Sequence, residues 1–187
     1  MARPACFLDR DGTLIIDRGY ARSAAEIALL PGAAAAVRRL NERGIAAVLV
    51  SNQSGIGRGY CTAQDIAAQH ERLIELLAAE GAYLDGIYFC PHLPEAGCAC
   101  RKPADELLRT AARELDLDLT RSYAIGDKAA DVELGARWLA GGLLVLTGSG
   151  EATPAALVAS APGAHGEDRV FASVLAAVAH LLATAWG

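Results

Sequence analysis

Lysine is almost missing from this chain: of its 17 basic residues 15 are arginines, and only Lys102 and Lys128 are lysines. Where lysine survives such a bias, either chance or a need for a compact, flexible ammonium has kept it. Both lysines fall inside polar motifs that follow apolar runs, which favours the second. An excess of basic charge is also lacking. The net charge is −5, so no surface for nucleic acid is expected, and an anionic ligand would have to be met by local positive charge. No apolar stretch reaches membrane length without charge or glycine, and the amino-terminal segment meets Asp9 too soon for a signal peptide. A cytoplasmic protein with no membrane partner is the expectation. There is no Ser/Pro/Gly-rich linker and no internal repeat, so residues 1–187 are expected to form a single domain. No Gly-x-Gly-x-x-Gly follows the first apolar run, which argues against a dinucleotide site.

What is present is organised around Ala5-Cys6-Phe7-Leu8-Asp9-Arg10-Asp11-Gly12-Thr13-Leu14. The apolar run reads as a strand covered on both faces, and ligands gather at the carboxyl ends of such strands. Asp9 would close the strand and Asp11 would sit in the loop that Gly12 permits. Two adjacent carboxylates repel and require a cation, a shared proton or a phosphate-neutralising shell. A hard cation such as Mg²⁺ suits them, and an aspartate can itself accept a phosphoryl group. The plain alternative is a strand that ends in an Asx turn.

Further apolar runs are expected to form strands at Ile45–Val50, Leu84–Phe89, Ser122–Ile125, Leu143–Leu146 and Asp168–Phe171. Between them, helices are expected over Ala33–Glu42, from the Thr62/Asp65 capping pair to Glu80, up to Leu115, across Asp131 to Leu139, from Thr153-Pro154, and at the carboxyl end. This alternation predicts an α/β, doubly wound parallel sheet. The stretch Ile15–Leu30 lacks a period and reads as a flap over the first strand end.

Three of five cysteines lie within eleven residues. Reduced thiols at that spacing suggest metal before disulfide. Cys90-x-His92-x5-Cys98-x-Cys100 has the ligand count and types of a closed, structural Cys₃His zinc site, with free thiols and a surface imidazole as the alternative. A bridge between Cys98 and Cys100 fits disulfide geometry poorly. Cys6 reads as core filler and Cys61 as a small residue ahead of a helix cap.

Asp9 and Asp11, Ser51 and Asn52, Arg101 and Lys102, then Asp127 and Lys128 follow four successive strands. In that order they resemble the four motifs of the haloacid dehalogenase superfamily of phosphotransferases. The resemblance implies a Rossmann-like fold with a short flap, a zinc-bound loop and no large cap domain. It further implies Asp9 as nucleophile, Asp11 as general acid and base, Ser51 and Lys102 as catalytic phosphate ligands, and Asp9, Asp11 and Asp127 around catalytic magnesium. Asp-Arg-Asp-Gly, Ser-Asn-Gln-Ser-Gly-Ile-Gly-Arg-Gly-Tyr, the Cys/His loop and Gly-Asp-Lys-x-x-Asp together are similar to the heptose bisphosphate phosphatases, which remove the 7-phosphate of D-glycero-D-manno-heptose 1,7-bisphosphate. That similarity implies a small-molecule sugar bisphosphate partner and a monomer. It assigns substrate contacts to Asp17, Arg18, Gly19 and Tyr20 in the flap, to Ser51, Asn52, Gln53, Ser54 and Arg58, and to Arg101, Lys102 and Lys128. The nearest alternative is the histidinol-phosphate phosphatase branch, which tends to carry an acidic residue where Ser54 stands. A non-catalytic phosphosugar-binding module is the alternative of another class; loss of Asp9 or Asp11 would have been its signature.

Overall fold

Apolar strands alternating with amphipathic helices can bury both faces of a parallel sheet, and the computed structural model, which describes residues 2–149 and 169–187, has this architecture. Its strands are β1 (Ala5–Leu8), β2 (Ala46–Asn52), β3 (Gly86–Cys90), β4 (Tyr123–Gly126), β5 (Gly141–Val145) and β6 (Val170–Phe171). They pair in parallel in the order β3-β2-β1-β4-β5-β6. The helices are α1 (Ala33–Glu42), α2 (Ser54–Gly57), α3 (Ala63–Ala79), α4 (Glu106–Leu115), α5 (Ala129–Trp138) and α6 (Val174–Thr184). No helix among the described residues is long and apolar enough to cross a membrane.

Strand β1 explains the layering. Cys6 and Leu8 face a core built with α1, α3 and α6, whereas Ala5 and Phe7 face one built with α4 and α5. A period of two with both faces apolar is what a central parallel strand requires. Strand order reverses at β1, which lies between β2 and β4. The crevice beyond its carboxyl end is therefore the place where such a sheet leaves room for a ligand.

Local signals account for most boundaries. The Thr62 side chain accepts from the Asp65 backbone N–H at 3.1 Å, and the Asp65 carboxylate accepts from the Thr62 N–H at 2.7 Å, so the capping pair starts α3 as expected. Several features differ from the sequence-based expectation, among them β3, which runs over Gly86–Cys90 in place of Leu84–Phe89. β2 runs on to Asn52, which places Ser51 and Asn52 on the strand, and the polar run after it closes into the short helix α2. Ile15, read as the start of the flap, is a core residue at 1% exposure. β5 begins two residues early, at Gly141, and Gly142 admits α5 at backbone contact: a Cβ there would lie 2.4 Å from the Val132 carbonyl oxygen. The edge strand is only Val170–Phe171. The helix expected from Thr153-Pro154 lies outside the described residues.

His70, on the inner face of α3, packs edge-to-face on Phe89 at 5.4 Å and is buried. Burial, aided by the Arg10 charge, pushes its imidazole down to about 4. The unfolded chain therefore takes up a proton near pH 6.5 that the folded chain refuses until about 4. This group's contribution is whole above pH 6.5 and is lost, at up to about 1.4 kcal/mol per pH unit, as pH falls from 6.5 toward 4. Urea midpoints for wild type and His70→Gln should differ in slope over that window and run parallel above it; equal slopes would remove His70 as the cause.

Candidate active site

At the carboxyl end of β1 a buried lysine crosses from another element to meet the first carboxylate. Lys102 Nζ lies 2.6 Å from Asp9 Oδ1, 2.6 Å from Asp131 Oδ1 and 2.7 Å from the Val50 carbonyl oxygen. Both carboxylates and the ammonium are almost fully buried. A guanidinium would not fit three acceptors converging on one point, so a compact cation belongs here. Asn52 fixes the arrival of this residue: its side chain accepts from the Lys102 N–H at 3.0 Å and donates to the Lys102 carbonyl at 3.2 Å.

Asp9, Asp127 and Asp131 form a cluster whose oxygens lie within 4.8 Å of one another. Burial pushes Asp127 up to about 7, with repulsion from Asp9 and Asp131 set against the pull of Lys128. Burial likewise raises Asp131, whereas Lys102 and Lys128 outweigh burial at Asp9 and hold it below the ordinary carboxylate value. A hard divalent cation would relieve what remains of this repulsion, and three carboxylate oxygens are its preferred donors. Asp127 is held by the Ser149 N–H at 2.7 Å. Gly12, at φ +85°, lets the loop close on it, since a Cβ there would lie 2.4 Å from Asp127 Oδ2.

The third carboxylate of the cluster is thus Asp131, absent from the sequence-based set, and not Asp11. The Asp11 side chain turns aside and accepts from Arg10 and from Gln53 Nε2. The spacing Asp127-x-x-x-Asp131, from strand end into the first turn of α5, was the available signal. Gly126 is what lets Asp131 fold back, because a Cβ there would sit 2.1 Å from its carboxylate.

Asp9, Asp131 and Lys102 line a cavity of about 380 Å³. Asp9, Asp11, Ser51 and Lys102 share its floor with Asn52, Gln53 and Ser54. Asp17, Gly19 and Tyr20 of the flap line it as well, together with Arg101 and Lys128. Lys128 Nζ stands 3.5 Å from Asp17 and 3.5 Å from Asp127, joining flap to carboxylate cluster. Two residues of the sequence-based set stand back. Arg18 is exposed and donates to the Glu26 carbonyl, and Arg58 sits over the Tyr20 ring at 6.0 Å from its centre. Tyr20 is also braced edge-to-face by Tyr60 at 5.0 Å.

Next to the cavity, Cys90, His92, Cys98 and Cys100 turn their ligand atoms together within 4.8 Å. Sulfur separations of 3.1, 3.5 and 3.6 Å, and His92 Nδ1 at 3.2 and 3.5 Å from two sulfurs, are near the edges of a tetrahedron. Zinc–sulfur bonds of about 2.3 Å give sulfur–sulfur edges of roughly 3.8 Å. Without a cation, burial and the neighbouring thiols push Cys100 up to about 12, so three thiolates here call for one. Arg101 follows directly and donates to the His92 carbonyl. The cluster and the Lys102 ammonium are therefore parts of one loop.

Carboxylates and a buried lysine at the switch point of a parallel sheet define the phosphoryl-transfer class of α/β hydrolases. The model for "haloacid dehalogenase-like hydrolase" matches residues 15–136, and a second, HAD-hydrolase-like, matches residues 99–177. A D-glycero-D-manno-heptose-1,7-bisphosphate 7-phosphatase of Thermosynechococcus vestitus is 48% identical over 162 residues, 81% of this chain and 83% of that protein. A D-glycero-beta-D-manno-heptose-1,7-bisphosphate 7-phosphatase of Yersinia pestis is 44% identical over 137 residues, 70% of this chain and 73% of its own. Among solved structures, the D,D-heptose 1,7-bisphosphate phosphatase of B. bronchiseptica, complexed with magnesium and phosphate, superposes with a TM-score of 0.84 at 35% identity, covering 96% of this chain and 98% of that one. The chain belongs to the haloacid dehalogenase-like hydrolases and, within them, to the family of heptose bisphosphate phosphatases.

Proposed function

We propose that this protein hydrolyses the 7-phosphate ester of D-glycero-D-manno-heptose 1,7-bisphosphate through an aspartyl phosphate on Asp9. The observation that carries the reading is the convergence of Asp9, Asp11, Ser51 and Lys102 on one cavity at the end of β1, in a chain 48% identical to a phosphatase of that name. Asp9, Asp127 and Asp131 would hold magnesium, which when bound neutralises charge on the phosphoryl oxygens. Cys90, His92, Cys98 and Cys100 would hold zinc as a closed structural site.

In this reading a carboxylate oxygen of Asp9 attacks phosphorus, the bond from phosphorus to the sugar oxygen breaks, and Asp11 gives its proton to that oxygen. Water then attacks the acyl phosphate, Asp11 takes the water's proton, and the bond from phosphorus to Asp9 breaks to free inorganic phosphate. Lys102 and the Ser51 hydroxyl steady the oxygens that gain charge as these bonds change. Arg101 and Lys128, which both line the cavity, would meet the distal phosphate, where a guanidinium fork grips two oxygens. Asp17, Gly19 and Tyr20 would meet the sugar. The reading treats the chain as one phosphatase domain.

The test is phosphate release from both anomers of the heptose bisphosphate, from a hexose bisphosphate and from histidinol phosphate. A kcat/KM for a heptose ester at least ~10²-fold above the other two supports the reading, on the scale that one well-placed ionic contact discriminates substrates. Preference for histidinol phosphate would move the chain to the neighbouring branch, and absence of any turnover would favour the non-catalytic module.

A further inference from the structure

Arg10 separates the two loop carboxylates in sequence, and its side chain is 3% exposed. A buried guanidinium is tolerated only when its donors are matched. Here Nε donates to Asp11 Oδ2 at 2.9 Å, Nη2 to Asp11 Oδ1 at 3.1 Å and to Gln53 Oε1 at 2.9 Å, and Nη1 to Gln69 Oε1 at 3.0 Å. Gln53 turns its other end to the same carboxylate, Nε2 lying 2.9 Å from Asp11 Oδ2, and also reaches Ser51 Oγ at 2.7 Å. Gln69, on the buried face of α3, donates through Nε2 to the Ala21 carbonyl of the flap at 2.9 Å. The chain of contacts thus runs from flap to Gln69, Arg10, Asp11, Gln53 and Ser51.

We infer that Arg10 is a positioning residue that aims the Asp11 carboxyl, with Gln69 tying that aim to the flap. The inference rests on the proposed role of Asp11 as the proton donor to the leaving oxygen. A planar fork fixes the plane of the carboxylate it grips, which a point charge does not. Asp11 Oδ2 accepts two hydrogen bonds and Oδ1 one, so Oδ1 is the oxygen with room for the transferable proton. A carboxyl aimed in this way delivers the proton along one line, toward the cavity that Asp11 itself helps to line.

Leaving-group dependence in the magnesium-loaded enzyme tests it. An alkyl ester requires a proton on its leaving oxygen, whereas p-nitrophenolate departs without one, and kcat/KM reports the step that phosphorylates Asp9. Arg10→Lys should lower kcat/KM for the heptose ester by about 10²-fold, the low end of what a general acid contributes, and that for p-nitrophenyl phosphate far less. Gln69→Leu, one contact farther out, should show the same contrast at about tenfold, and carries the test alone if Arg10→Lys does not fold. Equal losses on both esters in a folded variant, or no loss on the alkyl ester, would overturn the role of Arg10. Failure of wild type to use the heptose ester would instead overturn the substrate, and the contrast is then read on fructose 1,6-bisphosphate.

Discussion

Asp9→Asn is expected to abolish phosphate release, by on the order of 10⁵-fold, as for removal of other enzymes' covalent nucleophiles, while the protein stays folded. The fold should survive because the exchange is close to isosteric and Lys102 keeps two partners, Asp131 at 2.6 Å and the Val50 carbonyl at 2.7 Å. It also removes one of three carboxylates that crowd within 4.8 Å, which offsets part of the lost ion pair. Lys102 and Ser51 remain, so the variant should still bind phosphate. Turnover, circular dichroism and a melting curve on one preparation decide the matter. A folded Asp9→Asn variant that retains turnover would remove Asp9 as the nucleophile.

Cys98→Ala should strip the metal from the loop and lower the melting temperature together. Four ligands close a zinc site, and its binding free energy is part of the folding free energy. Loss of a structural metal is among the few single changes that cost about 3 kcal/mol or more. For a chain of this length that corresponds to a fall of roughly 6–12 °C. Elemental analysis should show zinc dropping from about one per chain to near zero. Activity should fall only in part, because the paired hydrogen bonds between Asn52 and the Lys102 backbone hold the far end of the loop independently of the cluster. Zinc-free wild type with an unchanged melting temperature would contradict the site.

The order of elements was legible because the strands are continuous apolar runs and the breaks carry Gly, Pro or a capping pair. Thr62 with Asp65 and the turn at Gly44 are local chemistry, visible wherever the chain goes. β5 was misplaced by two residues because glycine reads as a breaker, whereas Gly141 and Gly142 are strand residues, and at Gly142 the backbone of α5 lies too close for a side chain. Ile15, buried in the core, was assigned to the flap because a short aperiodic stretch carries no sign of which residues turn inward.

The amino-acid sequence by itself determined the fold class, the order of the strands with their polar ends, and the clustering of Cys90, His92, Cys98 and Cys100, since each depends on residues close together along the chain. Tertiary structure alone decided which carboxylates share a centre. Asp131 joins Asp9 and Asp127 because Lys102, 93 residues beyond Asp9, pulls it in, while Asp11, only two residues from Asp9, is turned away by Arg10. The spacing Asp127-x-x-x-Asp131 marks a candidate, but direction and burial across distant segments decide the partnership, and spacing encodes neither.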